Sequence, residues 1–382
     1  MEDVGISSYG HTNFGVLEED TPELIEKVID ECVNNVDNGI SPEEIDRLII
    51  SCVDNAFSEQ HQTGTIGWEC LGNPDAFGFK VESACVSGSV AAYRGKKMIE
   101  SGEAENVLVV GFEKMNKFST DKVTEYLTHG SSPEERKYGV TQPGAYALLI
   151  KLYANEYDVT EEDWAKISVK NHENALKNPW AHFKKEITME GVMDSRMVAD
   201  PIRLFHCSTV SDGAASVLLS ANPEEYTDTP VYLKGMGVGH DYLSTADRDD
   251  PTLLLCSKRA ADQAYEQAGR SPEDVDIAEV HDAFTPVEPL CYEAVGFAEQ
   301  GKGPELVREG TVMSDGSLPV NTSGGLKAKG HPVGATHIGT LIEMYLQLRG
   351  EAGKRQVPDP ETALIEGHGG TGSVAVVSIL ER

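Results

Sequence analysis

The sequence predicts an α/β fold built from two similar halves of βαβ type. Short β-branched runs such as I-D-R-L-I-I-S-C-V, E-N-V-L-V-V-G-F and S-V-A-V-V-S-I-L alternate with longer helical stretches. The hexapeptide S-P-E-E-I-D at residues 41–46 returns as S-P-E-D-V-D at residues 271–276, each time after an acidic amphipathic stretch. A repeat of this length indicates an internal duplication, and 382 residues suffice for two domains or one large duplicated domain.

The predicted halves are residues 1–225 and 226–382, and the first half contains a long insertion at about residues 114–201. The insertion is less regular than the segments that flank it. Insertions of this length in a compact fold usually form a cap or a binding loop. We therefore expect it to cover the reactive residues.

Two loops rich in small residues carry the candidate reactive groups. Residues 81–90 read V-E-S-A-C-V-S-G-S-V, and residues 323–337 read S-G-G-L-K-A-K-G-H-P-V-G-A-T-H. Aligning Gly88 with Gly334 places Cys85 on His331, each at the start of an apolar helix. A helix N-terminus favours thiolate and can lower a cysteine pKa from roughly 8.5 toward 7 or below. Cys85 is therefore a candidate nucleophile.

The duplicated halves are expected to bring this thiol and this imidazole together, because ligands of open α/β sheets bind at the carboxyl ends of strands. Two simpler interpretations remain open at this point. In the first, Cys85 is only a small buried core residue, as free cysteines commonly are. In the second, His331 is a histidine held only by its Gly-His-Pro turn.

Composition excludes several classes of partner. The formal net charge is −31, from 63 acidic and 32 basic residues, which argues against nucleic acid and anionic membranes. The acidic residues are dispersed, so we hypothesise a halophilic cytoplasm, with an ordinary acidic enzyme as the alternative. Seven cysteines without paired spacing, and the lack of a leader or a long apolar run, predict a soluble cytoplasmic protein.

Several motifs in order resemble the thiolase superfamily, above all the archaeal acetoacetyl-CoA thiolases and the sterol-carrier-protein type. E-S-A-C-V-S-G-S resembles the nucleophile loop, Y-G-V-T-Q-P-G and V-K-N-H-E-N-A-L-K-N-P the loop domain, and V-S-D-G-A-A-S the end of the first half. E-V-H-D-A-F and G-G-L-K-A-K-G-H-P-V-G-A-T-H resemble two further family elements. The resemblance covers essentially the whole chain. It implies a layered α-β-α-β-α core with an inserted loop domain.

The resemblance also implies the activity of an acetyl-CoA C-acetyltransferase. Cys85 would attack an acyl-CoA to form an acyl-enzyme while His331 accepts the thiol proton, and a second thioester would supply a carbanion. The reverse direction is thiolytic cleavage of a 3-ketoacyl-CoA. His281 would help to bind the thioester oxygen, unless it merely caps a strand end. Coenzyme A thioesters are then substrates, and neither a metal nor a permanently bound cofactor is implied.

The C-terminal loop L-I-E-G-H-G-G-T-G departs from the commonest thiolases, which carry a second catalytic cysteine there. Alignment through the glycines places Glu366 at that cysteine, whereas a shift of one residue presents His368 instead. An imidazole has a pKa near neutral pH without any shift, whereas a carboxylate would need desolvation to raise its pKa to that range. His368 is the favoured second acid and base, and Glu366 stays the other candidate.

The remaining expectations concern binding and partners. The resemblance suggests that Ser208 contacts the pantetheine arm of acyl-CoA, and Gly370 of the C-terminal glycine loop is a further candidate for acyl-CoA binding. Lys327, beside the His331 loop, is a candidate cation for the phosphates of coenzyme A, with a lysine on a solvated face as the alternative. It implies a homodimer or a dimer of dimers, with a small OB-fold zinc-ribbon protein and a hydroxymethylglutaryl-CoA synthase as possible partners. The alternative function is an acyl-CoA-binding subunit or scaffold that passes intermediates to such a partner. Acyl chain length and the direction of the reaction are left open.

Overall fold

The protein is described by a computed structural model that covers residues 3–53 and 55–382. The strands are β1 (Gly5–His11), β2 (Arg47–Ser51), β3 (Phe77–Val81), β4 (Asn106–Glu113), β5 (Met197–Ala199), β6 (Ile202–Arg203), β7 (Gly213–Ser220), β8 (Val231–His240), β9 (Ile277–Glu279), β10 (Thr362–Gly369) and β11 (Val374–Glu381). The helices are α1 (Thr21–Asn34), α2 (Asn55–Ser58), α3 (Thr63–Leu71), α4 (Ser87–Glu100), α5 (Thr120–Leu127), α6 (Pro133–Lys137), α7 (Gln142–Glu156), α8 (Glu161–Ala175), α9 (Met189–Met193), α10 (Leu255–Ala268), α11 (Glu288–Ala294), α12 (Gly303–Glu309) and α13 (Val333–Arg349).

Nine of the strands form one mixed sheet in the order β3-β2-β4-β7-β1-β8-β11-β10-β9. The pattern of parallel and antiparallel pairings is the same in the two halves of the sheet when each is followed from the edge toward the middle. In each half two parallel strands, β2 with β4 and β9 with β10, are followed by two antiparallel pairings. A parallel bridge between Ala278 and Val320 occupies the place that β3 has beside β2. The duplication predicted from the sequence is therefore present in the strand topology.

The repeated hexapeptide has the same structural role in both halves. The carboxylate of Asp46 accepts hydrogen bonds from the backbone N–H groups of Glu105 and Asn106, at 2.8 and 3.0 Å. The carboxylate of Asp276 accepts from the backbone N–H groups of Glu361 and Thr362, at 2.8 and 2.9 Å. Each aspartate thus satisfies the otherwise unpaired donors at the start of a buried strand. This shared role explains why the motif occurs twice.

Five layers of helices and strands enclose the three largest apolar cores of the described residues. Helices α1 and α3 cover the outer face of the first half of the sheet, and α10 covers the outer face of the second half. Helices α4 and α13 lie between the two halves and share the central core with both inner faces. In β4, alternate residues enter different cores: Val107 and Val109 face the centre, whereas Leu108 and Val110 face α1. This is the layered α-β-α-β-α arrangement that was predicted.

The two central helices approach each other closely at their first turns. A side chain at Gly88, the second residue of α4, would lie 3.1 Å from the carbonyl oxygen of Gly334, the second residue of α13. Residues 333–348 of α13 are buried on all sides. Glycine at both positions lets the starts of the two helices meet at one point, and the residues before them are Cys85 and His331.

The insertion contributes α5 to α9 and strand β5, which pairs with β6 directly after the insertion. Helices α7 and α8 pack against the second half of the sheet through Tyr146, Ile150, Trp164 and Ile167. Residues of α5, of α7 and of the loop between them line the cavity that contains Cys85. The expectation that the insertion covers the thiol is therefore confirmed.

The described part of the chain contains no helix that is both long and apolar enough to cross a membrane. All seven cysteines are free thiols.

Helix α1 shows the pattern of the outer helices, since it buries one apolar stripe and is capped by Asp20 through a reciprocal hydrogen bond with Glu23.

Candidate active site

The loop that carries Cys85 is held by its own polar groups. The Glu82 carboxylate accepts from the backbone N–H of Ala84 at 2.6 Å. The Ser87 hydroxyl accepts from the N–H of Ser83 and donates to the carbonyl of Ala84, at 2.8 and 2.6 Å. These bonds keep Ala84 in the left-handed region, with φ of 48°, which is costly for a residue other than glycine. The strained turn fixes the direction of the thiol that follows it.

Cys85 and His331 occupy equivalent positions in the two halves. Cys85 directly precedes Val86, the N-cap of α4, and His331 directly precedes Pro332, the N-cap of α13. Both line one cavity of about 490 Å³. The Cys85 sulfur and one ring nitrogen each of His281 and His331 all lie within 4.8 Å of one another. The structure thus brings the thiol and the two histidines together.

A hydrogen-bond chain defines the tautomer of His331. The Thr336 hydroxyl lies 2.8 Å from the carbonyl oxygen of Pro332, to which it donates its single proton, and 2.7 Å from Nδ1 of His331. Nδ1 must therefore carry the imidazole proton, which leaves Nε2 as an acceptor. Burial is the main cause that lowers the pKa of His331, to about 3. The ring is neutral and its Nε2 is a free base.

The expectation that the helix N-terminus favours thiolate at Cys85 is wrong for the unliganded protein. Helix α4 begins at Ser87, so the thiol lies outside its first turn. Burial raises the pKa of the Cys85 thiol to about 12, even though a hydrogen bond from the Gly370 backbone lowers it. The thiol is therefore protonated at neutral pH, and a base must remove its proton.

His281 follows β9 and points an unpaired nitrogen into the site. Its Nδ1 lies 3.2 Å from Nε2 of His337, and its Nε2 has no hydrogen-bond partner among the described residues. Burial first, and the neighbouring histidines second, hold the pKa of His281 well below its usual value. When His337 donates to Nδ1, Nε2 of His281 carries the proton and can donate to a substrate oxygen.

Four buried imidazoles form one cluster beside the thiol: His281, His331, His337 and His368. The His281 ring centroid lies 5.5, 5.3 and 4.2 Å from those of His331, His337 and His368. Burial lowers the pKa of His337 to about 3. The sequence analysis gave His337 no role, although it closes the Gly-His-Pro segment. The signal in the sequence was its place in the first turns of the helix that follows His331.

Glu366 and His368 project from the same face of β10, as residues two apart in a strand do. The Glu366 carboxylate accepts from the Ser257 hydroxyl, the His281 backbone N–H and Nδ1 of His368, at 2.7, 3.1 and 2.9 Å. Burial alone would raise the pKa of Glu366, but His368 and these hydrogen bonds outweigh it and lower the pKa to about 2. Glu366 is an ionised, fully bonded partner of His368, and this geometry favours His368 as the acid and base.

The residues expected to bind acyl-CoA are placed differently from one another. Ser208 and Gly370 line the cavity that contains Cys85. Lys327 is buried over the rings of Phe183 and Phe205, at 5.4 and 6.0 Å, and is not among the described residues that line this cavity. Burial lowers its pKa to about 8. The structure therefore does not bring Lys327 to the thiol.

A second cavity of about 490 Å³ adjoins the first around His331. Both are lined by six residues in common, Leu127, Gln142, Ser208, Phe284, His331 and Val333. The second extends to the exposed side chains of Val198, in the insertion, and Leu204, which follows the insertion. Together the cavities form a path from the surface to the thiol.

The thiol and imidazoles of the first cavity are also ligand types that zinc accepts, but a free Nε2 beside a protonated thiol is the arrangement that proton transfer requires.

Comparisons with known proteins agree with this architecture. Residues 4–222 match the family described as thiolase, N-terminal domain, and residues 237–382 match the family described as thiolase C-terminal domain-like. The chain is 38% identical over 386 residues to the acetyl-CoA acetyltransferase of Methanothermobacter thermautotrophicus, with 100% of each protein covered.

Two solved structures share the fold. The Ltp2-ChsH2(DUF35) aldolase matches with a TM-score of 0.86 at 21% identity, over 100% of this chain and 98% of that chain. The acetyl-CoA acetyltransferase of Bacillus anthracis matches with a TM-score of 0.74 at 20% identity, over 100% of this chain and 99% of that chain. The predicted fold class and the predicted family are confirmed, whereas the boundary at residues 225 and 226 stays a prediction. The chain belongs to the thiolase family and is an acyltransferase.

Proposed function

We propose that this thiolase is an acetyl-CoA C-acetyltransferase that works through an acyl-enzyme on Cys85. One observation carries the proposal: the Cys85 sulfur and the ring nitrogens of His281 and His331 lie within 4.8 Å of one another in a single cavity. The full-length similarity to an archaeal acetyl-CoA acetyltransferase supports the choice of acetyl-CoA as substrate. The same residues serve condensation and thiolytic cleavage.

In the first step Nε2 of His331 takes the thiol proton as the sulfur attacks the thioester carbonyl. The carbonyl oxygen becomes an oxyanion, and the Gly370 N–H, which bonds to the sulfur in the free protein, is placed to donate to it. One such donor lowers a barrier by roughly 3 kcal/mol. The tetrahedral intermediate then expels the coenzyme A thiolate, which receives the proton from His331.

In the second step another acetyl-CoA loses a proton from its methyl group. The unpaired Nε2 of His281 donates to the thioester oxygen of this molecule, on which the negative charge develops. His368, whose Nδ1 is held by the Glu366 carboxylate, receives the proton. The carbanion attacks the acyl group on Cys85, the C–S bond breaks, and the sulfur leaves as a thiolate. His368 then releases its proton to solvent, and a proton from solvent reaches the sulfur through His331.

Coenzyme A thioesters are the substrates, and we propose that their arms lie in the two adjoining cavities. Ser208 lines both cavities and is a candidate contact for the pantetheine arm. We also propose that Lys327 binds the phosphates of coenzyme A. This contact requires Phe183 and Phe205 to move, because both rings lie against its ammonium group.

Mass spectrometry after incubation with acetyl-CoA tests the proposal. We expect an acetyl group on Cys85 in the unaltered protein, and none at that position in Cys85→Ala. Cys32→Ala is the control because Cys32 is a buried free thiol on α1, in a core away from the site. It should be acetylated normally at Cys85. An unmodified Cys85 in the unaltered protein, with any partner protein supplied, would favour the alternative function.

That alternative is a subunit or scaffold that passes acyl-CoA intermediates to a partner. The name of the structural neighbour Ltp2-ChsH2(DUF35) aldolase joins two proteins, which supports the idea that proteins of this fold work with partners. A small OB-fold zinc-ribbon protein and a hydroxymethylglutaryl-CoA synthase are the partners that we propose. Copurification of either with the tagged chain, and a change of turnover when it is added, tests this.

We also propose a homodimer, or a dimer of such dimers, in the cytoplasm. Strand β3 lies at the edge of the sheet, and its Phe77 is 63% exposed. An apolar edge strand is a template for pairing with a second copy. Light scattering in solution measures the mass directly, and a mass of one chain would contradict the dimer.

High salt is expected to stabilise the protein, as the halophilic hypothesis requires. A net charge of −31 makes the folded chain repel itself, and the screening length falls from about 10 Å at 0.1 M salt to about 3 Å at 1 M. The unfolding temperature should rise between 0.1 and 2 M KCl in scanning calorimetry. A neutral osmolyte of equal osmolality is the control. Equal stability and activity at both salt concentrations would identify an ordinary acidic enzyme instead.

A further inference from the structure

We propose that the phenol of Tyr146 carries the proton between the methyl group of the second acetyl-CoA and His368. This inference deepens the proposed function and rests on it. Tyr146 is part of helix α7 in the insertion, and the sequence analysis gave it no role. In this proposal the insertion supplies a reacting group to the active site and also covers the Cys85 thiol.

The first support is the placement of His368. Its side chain is fully buried, and it is not among the described residues that line the cavity. Tyr146 does line the cavity, together with Cys85. The Tyr146 oxygen lies 3.0 Å from Nε2 of His368. The phenol therefore connects the buried imidazole to the space that holds the substrate.

The second support is the chain of hydrogen bonds behind the phenol. Nδ1 of His368 lies 2.9 Å from the Glu366 carboxylate, which Ser257 and the His281 backbone hold in place. The order Glu366, His368, Tyr146 runs from the core to the cavity. A proton passed through Tyr146 therefore reaches an imidazole whose other nitrogen is already bonded to a carboxylate.

The third support is that the hydroxyl has two acceptors for one proton. The Tyr146 oxygen lies 2.6 Å from the carbonyl oxygen of Gly370 and 3.0 Å from Nε2 of His368. When Nε2 is bare, the hydroxyl can donate to it and turn a lone pair toward the cavity. When Nε2 is protonated, the phenol oxygen accepts from it and donates to Gly370. The direction of this hydroxyl thus follows the protonation of His368.

The proposed step balances without an additional reactant. The methyl C–H bond of acetyl-CoA breaks, its proton joins the Tyr146 oxygen, and the original phenol proton moves to Nε2 of His368. The electron pair of the C–H bond forms the new C–C bond to the acyl carbon on Cys85. The acyl C–S bond breaks and the sulfur leaves as a thiolate. His368 releases its proton to solvent, and a proton from solvent reaches the sulfur through His331. Tyr146 ends as a neutral phenol.

Burial makes a free tyrosinate costly at this site, because it raises the pKa of Tyr146 well above its usual value. A relay avoids that ion, since the phenol loses one proton as it gains another. The ring is also fixed laterally, as its centroid lies 4.8 Å from that of Phe284. A fixed phenol between two fixed acceptors needs little rearrangement during the transfer.

Tyr146→Phe removes the hydroxyl and keeps the ring. We expect acetylation of Cys85 by acetyl-CoA to stay within about twofold of the unaltered protein, because His331 performs that step. Deuterium incorporation into the methyl group of acetyl-CoA in D2O, and condensation, should both fall by about 10²-fold or more. Tyr153→Phe is the matched control: its phenol lies buried on the same helix and bonds to Glu293 outside the site. Its exchange rate should be unchanged.

A double variant separates a relay from a structural role. His368→Asn should lose exchange as Tyr146→Phe does, and the two changes together should lose no more than the worse single change, because a relay acts as one unit. Normal exchange in Tyr146→Phe, losses that multiply, or a loss of acetylation parallel to that of exchange would each overturn the inference. Failure of the unaltered protein to acetylate Cys85 would contradict the proposed function instead.

Discussion

Replacement of His331 by asparagine is expected to slow acylation of Cys85 at pH 7 by about 10²- to 10⁴-fold, the usual contribution of a general base. Asparagine keeps a polar side chain of similar reach but offers no basic nitrogen. Because burial raises the pKa of the Cys85 thiol to about 12, only about 10⁻⁵ of it is thiolate at pH 7 without help. Rapid-quench measurement of acetyl-Cys85 gives the rate.

The pH dependence distinguishes this role from a structural one. The pKa of His331 is lowered to about 3, so the ring is a neutral base throughout the range above that value, while the thiol keeps its proton below about pH 12. Acylation by the unaltered protein should therefore be nearly flat between pH 5 and 9. In His331→Asn the thiolate must form by ionisation into solvent, so the rate should rise about tenfold per pH unit.

His240→Asn is the control, since His240 is exposed at the end of β8. It should leave both the rate and its pH profile unaltered. A flat profile in His331→Asn would mean that another group removes the thiol proton. An inflection near pH 6.5 in the unaltered protein would mean that the base is a solvent-exposed imidazole.

Gly334→Ala is expected to destabilise the protein by about 3 kcal/mol or more, at the upper end of the range for overpacked cores. The added carbon would lie 2.5 Å from the carbonyl oxygens of Phe112 and Ser51, and 2.6 Å from the Cα of Cys52. All three are backbone atoms, so no side-chain rotation relieves the contact. Helix propensity alone predicts the opposite sign, because alanine is favoured over glycine in helices by about 1 kcal/mol.

Urea denaturation measures this change, and Gly15→Ala is its control because no atom lies within 4 Å of the added carbon there. The control should unfold close to the unaltered midpoint. Gly334→Ala should also slow acylation, since α13 begins at Val333 and the displaced turn carries His331. An unchanged midpoint would mean that the two halves are packed less tightly than the structure shows.

The duplicated fold and the meeting of Cys85 with His331 could be predicted from the sequence, because both depend on local patterns that occur twice. The S-P-E motif ends in an aspartate that caps a buried strand in each half, so its repetition carries structural information. The glycines after Cys85 and His331 are needed where α4 and α13 touch. Such features appear in the sequence as fixed spacing.

The pKa of the thiol and the role of Tyr146 could not be predicted in this way. The pKa of Cys85 is set by burial under residues of the insertion and the second half, which are remote in sequence. Tyr146 meets His368 across 222 residues, and it lies within an ordinary apolar helix pattern. The choice between Glu366 and His368 likewise depends on which of them is enclosed by Ser257 and the His281 backbone.

The equivalent placement of Cys85 and His331 before two helices that meet at Gly88 and Gly334 has an evolutionary consequence. Two identical subunits related by a twofold axis through that meeting point would present the same side chain twice, either two thiols or two imidazoles. A nucleophile can face a base at this point only when the two repeats carry different residues there. In one chain that contains both repeats, each repeat can change independently while the other stays covalently attached.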